Sequence, residues 1–270
     1  MSRHPQRLTL LAALLAPLVL LGSSCGDGDG DAGPADSPTT GTEADGLSGD
    51  VTVLAAGSLT EAFTAIGEEF ESAHPGVGVT FGFGASSTLA QQALDGAPAD
   101  LLAGADEETM RKAVDGGAAA DPVVFARNRL AVLVGRGNPK QIKGLEDLSR
   151  SDVVLVLCAV QVPCGRFAAQ ALEKAGVTAA PKSYEETVKA VVSRVALGEA
   201  DAGIVYVTDA RAAAGRADRV EIPDADNVTA AYPLAVLEQS RNPEAAAAFR
   251  DFVAGAEGQR ILAGFGFLSP

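Results

Sequence analysis

The stretch VTVLAAGSLTEAF, residues 51–63, sets the pattern from which the rest of the chain is read. An apolar run, 51–56, ends on Gly57 and Ser58, and from residue 59 to about 73 the apolar positions recur at helical spacing. The reading is a buried strand, a tight turn and a helix. No charge intervenes before Glu61; Gly57 lets the backbone come close, and Ser58 stands at the helix mouth. Ser58 with Glu61 also fits the S-x-x-E capping box, so its hydroxyl has two competing uses: its own helix, or something in front of it.

The same unit recurs downstream. VGVTFGF (77–83) leads to a helix around 87–95, and DLLAGA (100–105) to one around 106–116. Then come LAVLVG (130–135), a short helix near 145–148, VVLVLC (153–158), helices near 165–175 and 184–197, and AGIVYV (202–207). The chain returns through YPLAVLE (232–238) to a closing helical region over 243–262. Such alternation predicts parallel strands with crossover helices, an α/β class. There are too many strands for one small sheet, so two α/β lobes are expected: 51–129 with 232–270 as the first, and 130–231 as the second. Segments 125–130 and 227–233 would cross between them. A ligand cleft then lies between the lobes, and helix N-termini at strand ends point into it.

Composition narrows the partners. The 270 residues are 47% hydrophobic, enough to bury a sizeable core, and carry a formal charge of -14. A chain beginning at Cys25 is more negative still, since it loses Arg3 and Arg7 but no acid. This argues against nucleic acid, whose binding rests on Lys and Arg against phosphates, but not against one small anion in a closed site. Arg3 and Arg7 followed by the apolar run 8–21 read as an export signal over 1–24. LGSSC (21–25) resembles a bacterial lipobox, which makes Cys25 the expected lipidated first residue of an exported protein held at the outer face of the membrane. Residues 25–50, rich in Gly, Asp, Ser and Thr, read as a flexible acidic tether.

Catalytic and metal-ligating inventory is thin. Beyond His4 in the export signal the only histidine is His74, in the turn-like SAHPGVG, and no GxSxG, HExxH, Walker loop or CxxC pair is present. The strand-to-helix loops carry small hydroxyl residues instead. Ser58 follows the first strand, and GASST (84–88), with Ser86, follows the second. Each is a plausible helix cap, but two in successive loops also place free N–H groups and hydroxyl donors where an anion could sit. In the second lobe VPCG (162–165) precedes a helix, Tyr206 ends a strand with its phenol available as a donor, and YEETV (184–188) is expected to open a helix with Glu185 and Glu186 in its first turn.

AAGSLTEAF, FGASSTLAQQALDGAPADLLAGAD, VFARNRLAVLV, VPCGRFAAQALEKAG, GEADAGIVYVTDA, YPLAVLE and ILAGFGF occur in this order over nearly all of 51–270, and the set resembles the molybdate-binding proteins of ABC transporters. The resemblance implies a two-lobed, type II periplasmic-binding-protein-like fold that closes on a tetrahedral oxyanion. Carried over residue by residue, the oxyanion-binding positions fall on Ser58, Ser86, the backbone N–H groups of Cys164 and Val188, and the phenol of Tyr206. The implied ligand is molybdate or tungstate, with no cofactor and no directly bound metal cation; the partners are the ABC permease and its ATPase, and the protein is a monomer. The chain departs from the family pattern at Cys164, where alanine is common, and at Cys158, where an acid is usual. A Cys158–Cys164 disulfide that fixes the Cys164 N–H is the expectation. A binding protein for another oxyanion such as sulfate is the alternative, and an enzyme on the same scaffold, using Asp209 or His74, the more distant one.

Overall fold

The computed structural model describes residues 46–270. The expected export signal, Cys25 and the tether up to residue 45 lie outside the described residues.

Strand β1 (Gly49–Ala56) is buried along its second half, as a strand flanked on both edges must be. It pairs parallel with β2 (Val77–Gly84) on one side and with β3 (Leu101–Ala103) on the other. Parallel neighbours need crossovers, supplied by helices α1 (Thr60–Ala73) and α2 (Ser86–Leu94). Helix α1 buries Ala62, Phe63, Ile66 and Phe70, one stripe at helical spacing. Its Phe63 ring packs against Phe81 of β2, Phe125 and Phe249, and burying such a side chain contributes about 1.5–3 kcal/mol.

The long strand β4 (Ala119–Gly135) joins two sheets. After helix α3 (Glu107–Asp115), residues 119–129 of β4 pair antiparallel with β9 (Thr229–Leu237), whose other edge meets β3. From Leu130 onward the partners change: β7 (Ala202–Tyr206) lies on one edge and β8 (Ala217–Glu221) on the other. Strand β5 (Leu155–Cys158) runs parallel between β7 and β6 (Ser183–Glu185). The architecture is thus α/β and two-lobed, with sheets β2-β1-β3-β9-β4 and β8-β4-β7-β5-β6 sharing one strand. Helices α4 (Pro163–Lys174), α5 (Val188–Ala196) and α6 (Val207–Ala212) belong to the second sheet; α7 (Pro243–Ala254) and α8 (Ala256–Phe265) pack beside α1.

Three elements differ from the sequence expectation. β4 begins at Ala119 rather than 130, because register shifts against β9 and the positive φ of Asp121 break the alternation that marks a strand. The segment at 183–185 is a strand, not the opening of a helix: its backbone completes the edge of β5, and α5 starts only at Val188, so Glu185 and Glu186 lie outside it. The looser stretch after 207 holds α6 and the polar edge strand β8.

Candidate functional site

Five helical segments begin where strands end, and those ends converge. After β1 the chain makes a 3₁₀ turn, Gly57–Leu59, that places Ser58 with 3% of its surface exposed. No side-chain cap is made at that turn or at α1, so the capping box is not formed. Ser58 Oγ instead meets Tyr232 Oη at 2.9 Å, and both carboxylate oxygens of Glu61 receive Lys189 Nζ at 2.8 Å. After β2, Ala85 caps α2 and Ser86 is its first helical residue rather than its cap. Ser86 Oγ accepts the N–H of Ala105 at 3.0 Å and is likewise buried.

In the second lobe Val162 caps α4, Pro163 takes the first helical position, where its missing N–H costs nothing, and Cys164 follows. Cys158 at the end of β5 is disulfide-bonded to Cys164, closing the loop that enters the helix. Gly165 is indispensable there, since a Cβ would lie 2.0 Å from the Ala159 oxygen. Gly57 is not: a Cβ on it would meet Lys189 Cγ at 3.6 Å and the Gly84 oxygen at 3.7 Å, ordinary contacts, so the protein around it does not force the close approach expected. Thr187 caps α5 by accepting the Ala190 N–H at 3.1 Å, and Val188 opens the helix. Tyr206 closes β7 with a fully buried hydroxyl that meets no hydrogen-bond partner in the protein. Burial drives its pKa well above the usual value, with Tyr232 and Asp106 pushing the same way, so it stays a protonated donor.

Ser58, Ser86, Cys164, Val188 and Tyr206 all line one cavity. It is a small cavity, about 20 Å³ in volume. First-turn N–H groups at Ser58, Ser86, Cys164 and Val188 have no partner within their own helices, and four helix N-termini add positive partial charge. No Lys or Arg lines the cavity, and Glu186, its one acidic neighbour, has an exposed side chain. The wall is therefore uncharged and rich in donors. Such a wall suits an acceptor-only ligand and offers nothing for metal ligation; among the described residues no His/Cys/Asp/Glu cluster could hold a metal ion.

Ion pairs flank the cavity and span the lobes. Lys189 of α5 reaches Glu61 of α1 and also lies 3.2 Å from Asp209 of α6. Asp209 is fully buried, and burial pushes its pKa up to about 6 against the opposing pull of Lys189. On another side Arg166 of α4 pairs with Asp106, the cap of α3, and donates to Thr109 Oγ1 at 3.0 Å. Sequence reasoning missed Lys189, Arg166 and Tyr232; the one available signal was a hydroxyl-bearing residue inside the apolar run of β9. His74 caps the C-terminal end of the 14-residue α1, about 21 Å from Ser58, and packs on Phe70. Neither His74 nor Asp209 lines the cavity.

The chain matches the bacterial extracellular solute-binding protein family over residues 51–268. It is 39% identical over 260 residues to the molybdate-binding protein ModA of Mycobacterium tuberculosis, covering 96% of this chain and 95% of the relative. The molybdate-binding protein ModA of Escherichia coli is 34% identical, over 81% of this chain and 89% of that one. Among solved structures, the periplasmic molybdate-binding protein of Azotobacter vinelandii superposes with a TM-score of 0.71 at 19% identity, over 82% of this chain and 99% of that one, a likeness of fold. With the family match, the close relatives and the two-sheet architecture in agreement, this chain belongs to the bacterial extracellular solute-binding proteins.

Proposed function

We propose that this protein binds molybdate, and tungstate in the same manner, outside the cytoplasm and delivers it to an ABC permease and its ATPase by closing its lobes on the ion. The observation that carries the reading is the cavity wall: serine hydroxyls, first-turn N–H groups and an unpartnered buried phenol, with Glu186, an exposed residue, its only carboxylate. A fully ionised tetrahedral dianion only accepts hydrogen bonds, so this wall satisfies it, whereas a hydrogen phosphate carries a proton that needs an acceptor. The negative overall charge is no obstacle, because exposed charges beyond about 8–10 Å are screened by salt while dipoles at the cavity wall are not. The names of the 39% and 34% identical relatives support the same ligand.

Lobe I comprises 51–129 and 232–270, and lobe II comprises 130–231. The change of partners on β4 at residues 129–130 supports a hinge there, and the pairs Lys189–Glu61 and Arg166–Asp106 would hold the closed form. Cys25, if lipidated, tethers the domain to the outer face of the membrane. The protein acts as a monomeric carrier rather than an enzyme. A thermal-shift panel of molybdate, tungstate, sulfate and hydrogen phosphate tests the reading. A ligand at a thousand times its Kd stabilises by about 4 kcal/mol. Molybdate and tungstate should raise Tm; a rise with sulfate alone would transfer the reading to that anion, and no rise with any would end it.

A further inference from the structure

Behind Ser58 lies a buried polar chain that oxyanion contact alone does not require. Asn128 of β4 and Tyr232 of β9 are both 0% exposed, and both lie where β4 pairs with β9, next to the point at which β4 changes sheets. Asn128 Oδ1 accepts the N–H of Arg129 at 2.9 Å, which fixes the amide: turned over, its NH2 would face another donor. Its Nδ2 therefore points the other way and donates to Thr208 Oγ1 at 2.9 Å and, more loosely, to Tyr232 Oη at 3.4 Å.

Tyr232 Oη has two hydrogen-bonding neighbours, Asn128 Nδ2 and Ser58 Oγ. The first can only donate, and of the two directions open to the Tyr232–Ser58 contact at 2.9 Å, the one that sends the phenolic proton to Ser58 Oγ gives that proton a hydrogen-bonded acceptor. Burial holds the phenol protonated by driving its pKa far up. Ser58 Oγ, already an acceptor from Tyr232, has its own proton left over, and Ser58 lines the cavity. Ser86 is placed alike, its oxygen taken by the Ala105 N–H. We propose that Asn128 and Tyr232 set the direction of the Ser58 hydroxyl, biasing it to donate to the bound oxyanion and thereby making it a determinant of discrimination against protonated oxyanions.

A serine hydroxyl free to rotate can accept as readily as donate, and would tolerate a P–OH group. One whose oxygen already accepts from behind has its proton turned forward and only one lone pair left, so donation to the ligand is favoured over acceptance. Tyr232 and Asn128 are positioning residues: they act through Ser58 and touch no ligand. The inference rests on the oxyanion-binding reading and is separable from it by experiment.

The test is a double-mutant cycle of Tyr232→Phe and Ser58→Ala, with affinities for molybdate, sulfate and hydrogen phosphate measured by calorimetry and folding monitored by Tm. Tyr232→Phe keeps the ring that packs against Phe125, Tyr206 and Phe267. In the unmodified background it should weaken molybdate binding about 5- to 10-fold and narrow the ratio of molybdate to hydrogen phosphate affinity by about tenfold. In the Ser58→Ala background it should change neither quantity by more than about twofold. Equal losses in both backgrounds, or an unchanged ratio in the first, would overturn the relay and leave the oxyanion reading standing. If the unmodified protein bound sulfate and not molybdate, the ligand assignment would fail, and the same cycle run with sulfate would still decide the relay. Binding of no oxyanion would overturn both.

Discussion

Replacing Ser86 by alanine should do two things at once, because its hydroxyl has two partners. Its oxygen accepts the buried Ala105 N–H at 3.0 Å, and its proton is free to enter the cavity. Leaving a buried N–H without an acceptor costs about 1–3 kcal/mol, so Ser86→Ala should lower folding stability by that amount in the absence of ligand. Losing a hydrogen bond to a charged ligand costs a further 1.5–3 kcal/mol, which is about a 10- to 150-fold increase in Kd for molybdate. Urea denaturation of the apo protein reads the first number and calorimetric titration the second. If stability fell as stated while the molybdate Kd stayed within about twofold, Ser86 would serve only Ala105, and the assignment of its proton to the ligand would be wrong.

Glu61→Gln breaks a pair that spans the lobes and leaves Lys189 with Asp209; because Glu61 is 40% and Lys189 31% exposed, the pair is worth at most about 1 kcal/mol, and stopped-flow release of molybdate should quicken about two- to fivefold, with an unchanged off-rate refuting the latch. Asp209 ionises at about 6 in the folded protein against a usual 3.8, so the folded state holds a proton that the unfolded chain has lost; its stabilising contribution is complete below about pH 4 and disappears as pH rises through 6. Relative to Asp209→Asn, the unmodified protein should therefore lose up to about 3 kcal/mol of stability between pH 4 and 6.5 in urea melts, and a gap moving the other way would contradict the assignment. Reducing Cys158–Cys164, or replacing both by serine, removes a six-residue loop closure worth about 2 kcal/mol on the chain-entropy account; reduced and oxidised protein melting alike would show that the bond does not brace the loop.

Much of this architecture is legible in the sequence, because parallel strands buried on both faces write themselves as apolar runs, and crossover helices as periodic ones. What escaped has physical causes. The first half of β4 carries bulges and Pro122, so its alternation is lost even though its pairing with β9 is extensive. β6 and β8 are edge strands whose residues answer to solvent, and only their backbones are specified by neighbours. At the site, Ser58, Ser86, the VPCG loop with Cys164 and Tyr206 could be picked out because strand ends and helix starts have local signatures, whereas Val188 was singled out from its neighbours only by the family resemblance. Tyr232 and Asn128 could not, since a hydroxyl and an amide in a strand reveal their partners only after a separation of 174 residues, in the case of Tyr232 and Ser58, is closed by folding. The capping box was locally sound and lost to that long-range bond. With Glu61 engaged by Lys189 and Ser58 by Tyr232, neither remained free to cap.

The claim on which the account depends is that this cavity accepts a fully ionised tetrahedral dianion and refuses a protonated one of similar shape. Competition calorimetry near neutral pH, titrating molybdate into protein equilibrated with excess hydrogen phosphate, measures it directly. The account predicts one molybdate per chain with an apparent affinity that the phosphate leaves unchanged. A molybdate affinity that falls in proportion to the phosphate present would contradict it.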